Sequence, residues 1–184
     1  RDVLISNVLG VSYITDIFIV ALRIPNIFRR ITAEGAFSSA FIPMFSKKLI
    51  SSKISAIKFS EDILFVSLVF VILITSLLQI LMPFIIYFMA YGFTDDPVKY
   101  DLAINFSRIT APYILLISLS SIGIGILNSI GRYFASSFAP IVFNAILVII
   151  LLLPINNIIH VGYFMSFGVV ISGIIQFLLV FYFL

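Results

Sequence analysis

Long apolar runs separated by short polar segments dominate the chain, and the run lengths predict helices that cross a membrane. Residues 1–9, RDVLISNVL, read as the tail of one such helix, and Gly10, Val11 and Ser12 as a short turn. A helix is then expected from 13 to 47, with Thr15 or Asp16 as its cap. At 1.5 Å per residue it would be roughly 50 Å long, against a hydrocarbon core of about 30 Å, so it must tilt, kink or project into water. Pro25 supplies a kink because it has no N–H for the carbonyl of Ala21, and Pro43 does the same to Ser39. Gly35 with Ser39, and Ala36 with Ala40, are small pairs four apart that permit close helix contact. Four further spans are expected at 63–90, 101–130, 138–154 and from 159 onward. The connections between them are KKLISSKISAIK (47–58), YGFTDDPVKYD (91–101), GRYFASS (131–137) and PINNIIHVG (154–162). Ser121, Gly125 and Ser129 form a second small-residue ladder, and Gly168, Ser172 and Gln176 share one side of the last span.

Composition agrees with the pattern. Of 184 residues, 62% are hydrophobic and only 10% charged, where soluble domains average about 25% charged. The fold class is therefore an all-α polytopic membrane protein. Cysteine is absent, which excludes disulfides and thiolate metal sites. The formal charge is only +3, so its placement matters more than its size. The 47–58 connection carries four lysines and no acid, Arg132 makes the 131–137 link basic, and the 91–101 loop is net acidic. By the positive-inside bias the two basic connections face the cytoplasm, and the 10–12, 91–101 and 154–162 turns face outward. The sequence opens on Arg1 without an initiator Met and closes in the apolar FLLVFYFL, which suggests a piece of a longer protein.

Charge inside the 13–47 span is the exceptional feature. At roughly 100° per residue, Asp16, Arg23, Arg30 and Glu34 fall within about 40° of one another, with Arg29 about 100° round from Arg30. Ionisable residues at membrane depth are expensive and normally face a protein interior or a water-filled cavity. Two adjacent arginines on such a face suggest recognition of a phosphate, for which the guanidinium fork is suited. The plainer alternatives are a snorkelling arginine pair at a helix end, structural pairing of Asp16 and Arg23 with other spans, and simple neutralisation of Arg30 by Glu34 one turn on. Arg108 reads as an interfacial anchor, and Asn128, Asn144 and Gln176 as interhelical hydrogen-bond glue. His160 stands alone in a turn with no acid nearby. The sequence has no nucleophile–base pair, phosphate loop, metal-ligand cluster or nucleic-acid surface. It therefore gives no basis for an enzyme, a metal or a cofactor.

The string TDIFIVALRIPNIFRRITAEGAFSSAFIP resembles the signature second transmembrane helix of the MurJ/MviN lipid II flippases, and ITAPYILLISLSSIGIGILNSIGRYFASSFAP and the leading Arg-Asp agree with it. The resemblance covers essentially the whole chain, from the end of the first helix through the sixth of about fourteen. It implies the amino-terminal lobe of a two-lobe flippase in the bacterial cytoplasmic membrane. Such proteins move undecaprenyl-pyrophosphate-linked peptidoglycan precursor outward by alternating access through a cationic cavity. By position it implies that Arg1, Asp2, Arg29 and Arg30 bind the pyrophosphate region. Asp16, Arg23 and Glu34 would be cavity or gating charges, and Pro25 a bending point. The implied partners are the lipid-linked precursor, membrane lipids and the remaining carboxy-terminal helices, with no nucleic acid. Export of another polyprenyl-linked glycan and a non-transporting scaffold for cell-wall synthases remain alternatives, while a prenyl-pyrophosphate enzyme would need acidic metal-binding clusters that the sequence lacks. The arginine pair argues against a cationic-drug exporter.

Overall fold

The computed structural model describes Gly10, residues 12–32 and residues 36–184. The expected helix tail at 1–9 lies outside the described residues. Among those described, all regular structure is helical: α1 Tyr13–Thr32, α2 Ala36–Ser51, α3 Lys53–Met89, α4 Pro97–Thr110, α5 Tyr113–Ser129, α6 Phe134–Leu151 and α7 Ile158–Phe183. A 3₁₀ turn at Tyr91–Phe93 sits between α3 and α4.

Local chemistry explains where these elements begin, and where they differ from the pattern. Gly10 turns with φ 58°, and Ser12, rather than Thr15 or Asp16, caps α1 by accepting from the Thr15 N–H at 3.4 Å. The Thr15 hydroxyl is occupied with the Gly10 carbonyl at 3.1 Å. Ser52 caps α3 through the Ser55 N–H, so the stretch 53–58, expected as part of the polar connection 47–58, is helix. It contains no Gly or Pro, and Ala56 packs beneath Phe41 and Phe45 of α2. The resulting 37-residue helix is about 55 Å long and exceeds the hydrocarbon core. Asp96 accepts from the N–H groups of Val98 and Lys99 at 3.0 and 3.3 Å. With Pro97 as the first helical residue, this starts α4 before residue 101. The expected span 101–130 divides at Ala111 and Pro112 into α4 and α5, because Pro112 cannot donate to the carbonyl of Arg108.

The core gathers α1, α4, α5 and α7 around Ile14, Ile17, Phe18, Ala21, Ala103, Phe106, Ile114, Met165 and Val169. Glycines set the close approaches. A Cβ on Gly162 of α7 would meet the Phe106 ring at 2.5 Å and Ile14 at 2.9 Å, and one on Gly173 would meet the Tyr113 ring at 2.7 Å. In the Ser121–Gly125–Ser129 ladder, Gly125 seats Phe41 of α2, whose ring lies 3.0 Å from where a Cβ would stand. The Ser121 and Ser129 hydroxyls turn back to carbonyls of their own helix, each at 2.7 Å, leaving small apolar surfaces to make the contact. The outer face of α3 carries exposed Phe65, Phe70, Leu73, Ile80, Phe84 and Phe88, bulky side chains suited to lipid rather than to a close helix seam. Among the described residues, Lys53–Met89, Pro97–Ser129 taken together, and Ile158–Phe183 are long and apolar enough to cross a membrane.

Candidate functional site

α1 divides into two faces. Ile14, Ile17, Phe18, Ala21, Leu22 and Ile24 are buried against α4, α5 and α7. The opposite face exposes Asp16, Ile19, Arg23, Ile27 and Arg30. The expected clustering of Asp16, Arg23 and Arg30 on one stripe is thus present. Its charges alternate with isoleucines, and among the described residues the bundle leaves this α1 face uncovered. Arg29 differs from its neighbour. It is partly covered and close enough to Tyr113 at the start of α5 for its charge to act on that phenol. Arg1, Asp2 and Glu34 lie outside the described residues, as do the side chains at 32–38.

Behind the arginines lies a polar cluster that the sequence pattern did not single out as a unit. Tyr113 and Gln176 are each only 2% exposed, and the Gln176 side chain stands beside the Tyr113 phenol. The Gln176 Nε2 is enclosed with no partner. Gln176 thus faces a polar group of a second helix. Asn144 does not: its Nδ2 donates to the Pro140 carbonyl of its own helix at 2.9 Å. The sequence signals were Pro112–Tyr113 at a helix start and a glutamine one turn after Gly173. Neither indicates by itself that the two side chains meet.

Three prolines release carbonyls, and side chains recapture them. Pro25 is buried within α1 and has no N–H for Ala21. The Thr110 hydroxyl of α4 donates to the Ala21 carbonyl at 3.2 Å. Pro83 likewise releases the Gln79 carbonyl and Pro112 that of Arg108. Arg108 Nε donates to the Gln79 carbonyl at 3.4 Å, and Gln79 Nε2 donates to the Arg108 carbonyl at 2.8 Å. Arg108, expected as an interfacial anchor, is thus one half of a reciprocal clasp between α3 and α4, roughly 16 Å along α4 from Pro97.

Chemically, a row of guanidinium groups with a carboxylate at one end can hold a multivalent anion through several charge-assisted hydrogen bonds and still release it. The sequence model of one family, Lipid II flippase MurJ, matches residues 5–184. The chain is 38% identical over 181 residues to the probable lipid II flippase MurJ of Rhizobium meliloti, covering 96% of this chain and 34% of that protein. It is 32% identical over 179 residues to the lipid II flippase MurJ of Burkholderia cenocepacia, covering 97% and 35%. A solved structure of lipid II flippase MurJ in an inward closed conformation superposes with a TM-score of 0.83 at 28% identity, covering 98% of this chain and 38% of that one. The chain thus spans about a third of the length of the relatives it matches. It belongs to the MurJ lipid II flippase family, whose members are multi-pass proteins of the bacterial inner membrane.

Proposed function

We propose that the chain is part of the amino-terminal lobe of a transporter that carries lipid II, the undecaprenyl-pyrophosphate-linked peptidoglycan precursor, across the inner membrane. A diphosphate cannot enter hydrocarbon without exchanging its water for other donors. The observation that carries the reading is the exposed α1 stripe of Asp16, Arg23 and Arg30, with Arg29 beside it, on a helix whose other face is apolar and packed. Arg29 and Arg30 then receive the pyrophosphate together with Arg1 and Asp2. Asp16, Arg23 and Glu34 are cavity or gating charges, and acids such as Asp2 and Glu34 temper the arginines so that the head group leaves again. The polyprenyl tail stays in lipid, and the head crosses as the lobes rock about it, bending at Pro25. The precursor crosses chemically unchanged, so the role is transport rather than catalysis, and it asks for no cofactor. The missing cavity walls come from the carboxy-terminal helices of the same protein.

Complementation of a flippase-depleted strain with the complete gene tests this. Arg29→Ala with Arg30→Ala should abolish rescue while the protein still accumulates in the membrane. Normal rescue by that variant overturns the assignment and favours a scaffold that holds cell-wall synthases.

A further inference from the structure

We propose that Thr110 is a positioning residue for the arginines of α1, acting as a latch on the Pro25 hinge; this rests on the transport reading above. Arg29 and Arg30 lie just beyond Pro25, so the direction of that last turn of α1 depends on how the helix bends there. A proline inside a helix leaves the carbonyl four residues earlier without its donor, here Ala21, which is completely buried. No water reaches it from bulk, and lipid offers no donor. The Thr110 hydroxyl, also fully buried, supplies one from α4 at 3.2 Å.

The geometry also provides for release. The same hydroxyl lies 3.1 Å from the Ser107 carbonyl of its own helix, and a hydroxyl has only one proton to give. Thr110 therefore has two acceptors, one across the hinge and one at home. When α1 straightens or turns, the proton swings to Ser107 and the hydroxyl is not left unsatisfied. Swinging between acceptors makes the bend reversible, as alternating access demands.

Two other prolines, Pro83 and Pro112, show why the latch sits on α4. Arg108 and Gln79 exchange hydrogen bonds across the carbonyls released by Pro83 and Pro112, which ties the last turn of α4 to α3 and braces the residue two positions before Thr110. The hinge in the arginine helix is thus referred to a turn already fixed by a second pair of proline breaks. α4 is the element at which the carbonyls released by three prolines find their donors.

The test uses the complete flippase with Thr110→Val, which keeps the shape and removes the donor, and Thr110→Ser, which keeps the donor. Each is made with and without Pro25→Ala, which restores the N–H for Ala21. Spin labels at Ile31 and Val98, both exposed, report the hinge without reference to transport. Ile31 is about 9 Å beyond Pro25 along the helix, so a 20° change of bend moves it by about 3 Å. Thr110→Val should shift that distance by about 3 Å and slow lipid II flipping in proteoliposomes about fivefold to tenfold, the scale of one hydrogen bond. Thr110→Ser should restore both. In the Pro25→Ala background, Thr110→Val should change the flipping rate by less than about twofold, since Ala21 then has its own helical donor. Serine and valine behaving alike, or valine being equally harmful with Pro25→Ala, overturns the latch. If no protein flips lipid II but the distances follow the expected pattern, the latch stands and the transport reading fails.

Discussion

Replacing Gly162 with alanine should loosen the junction that seats the arginine helix. A Cβ there would stand 2.5 Å from two carbons of the Phe106 ring and 2.9 Å from Ile14 Cγ2, where ordinary contacts begin at 3.4 Å. The neighbours would have to yield by almost an ångström. Phe106 cannot swing away readily, because it is fully buried and packed edge-on against Tyr163 with centroids 4.9 Å apart. Ile14 is equally enclosed in the first turn of α1. Overpacking of this kind costs about 1–3 kcal/mol, while exchanging Gly for Ala within a helix returns about 0.5–1 kcal/mol. The net expectation is a loss of about 0–2.5 kcal/mol, centred slightly above 1. Gly168→Ala is the paired control. Its new methyl meets mainly Ile150 Cδ1, the free end of a flexible side chain, so the propensity gain should leave stability unchanged or raised by about 0.5 kcal/mol. Thermal melting of the complete protein in detergent, with each variant beside wild type, reads the difference. A Gly162→Ala protein at least as stable as Gly168→Ala would refute the packing argument, because the two differ only in what the methyl meets.

Two further outcomes follow from polar groups. Gln176→Leu alone should destabilise by about 1–3 kcal/mol, since it replaces the polar group beside the buried Tyr113 phenol with an apolar one. Adding Tyr113→Phe should recover most of that loss or exceed it, because the unpaired Gln176 Nε2 is also gone; melting curves that place the double variant below the single one contradict this. Asp96→Ala removes the acceptor for the Val98 and Lys99 N–H groups and should cost about 1 kcal/mol. It should also raise amide exchange in the first turn of α4, while Asp95→Ala should change neither.

Much of the fold was legible because each span announces itself by an apolar run and a proline or cap beside it. The α1 stripe was legible for the same reason: Asp16, Arg23 and Arg30 recur at helical spacing, and nothing in their surroundings competes with that period. What escaped was cooperative. The lysine-bearing 53–58 stretch reads as a loop by polarity, yet its first turns carry Ala56 into a cleft formed by Phe41 and Phe45, a contact invisible along the chain. The division of 101–130 depends on Pro112, but proline marks only the break. The capture of the Arg108 carbonyl by Gln79, 29 residues away, is what makes the break tolerable in a membrane. Thr110 is the clearest case. Threonine in a helix ordinarily bonds its own backbone, so its reach to Ala21 had no signature in the sequence, although the need for some donor there did.

The central claim is that α1 recognises a diphosphate, and the most direct measurement is the affinity of the complete protein for lipid II compared with the same lipid carrying one phosphate. Wild type should bind the diphosphate about tenfold to a hundredfold more tightly, the scale of charge-assisted hydrogen bonds lost with the second phosphate. Arg29→Gln with Arg30→Gln should bind both lipids with equal, weakened affinity. Full discrimination retained by that variant would contradict the account.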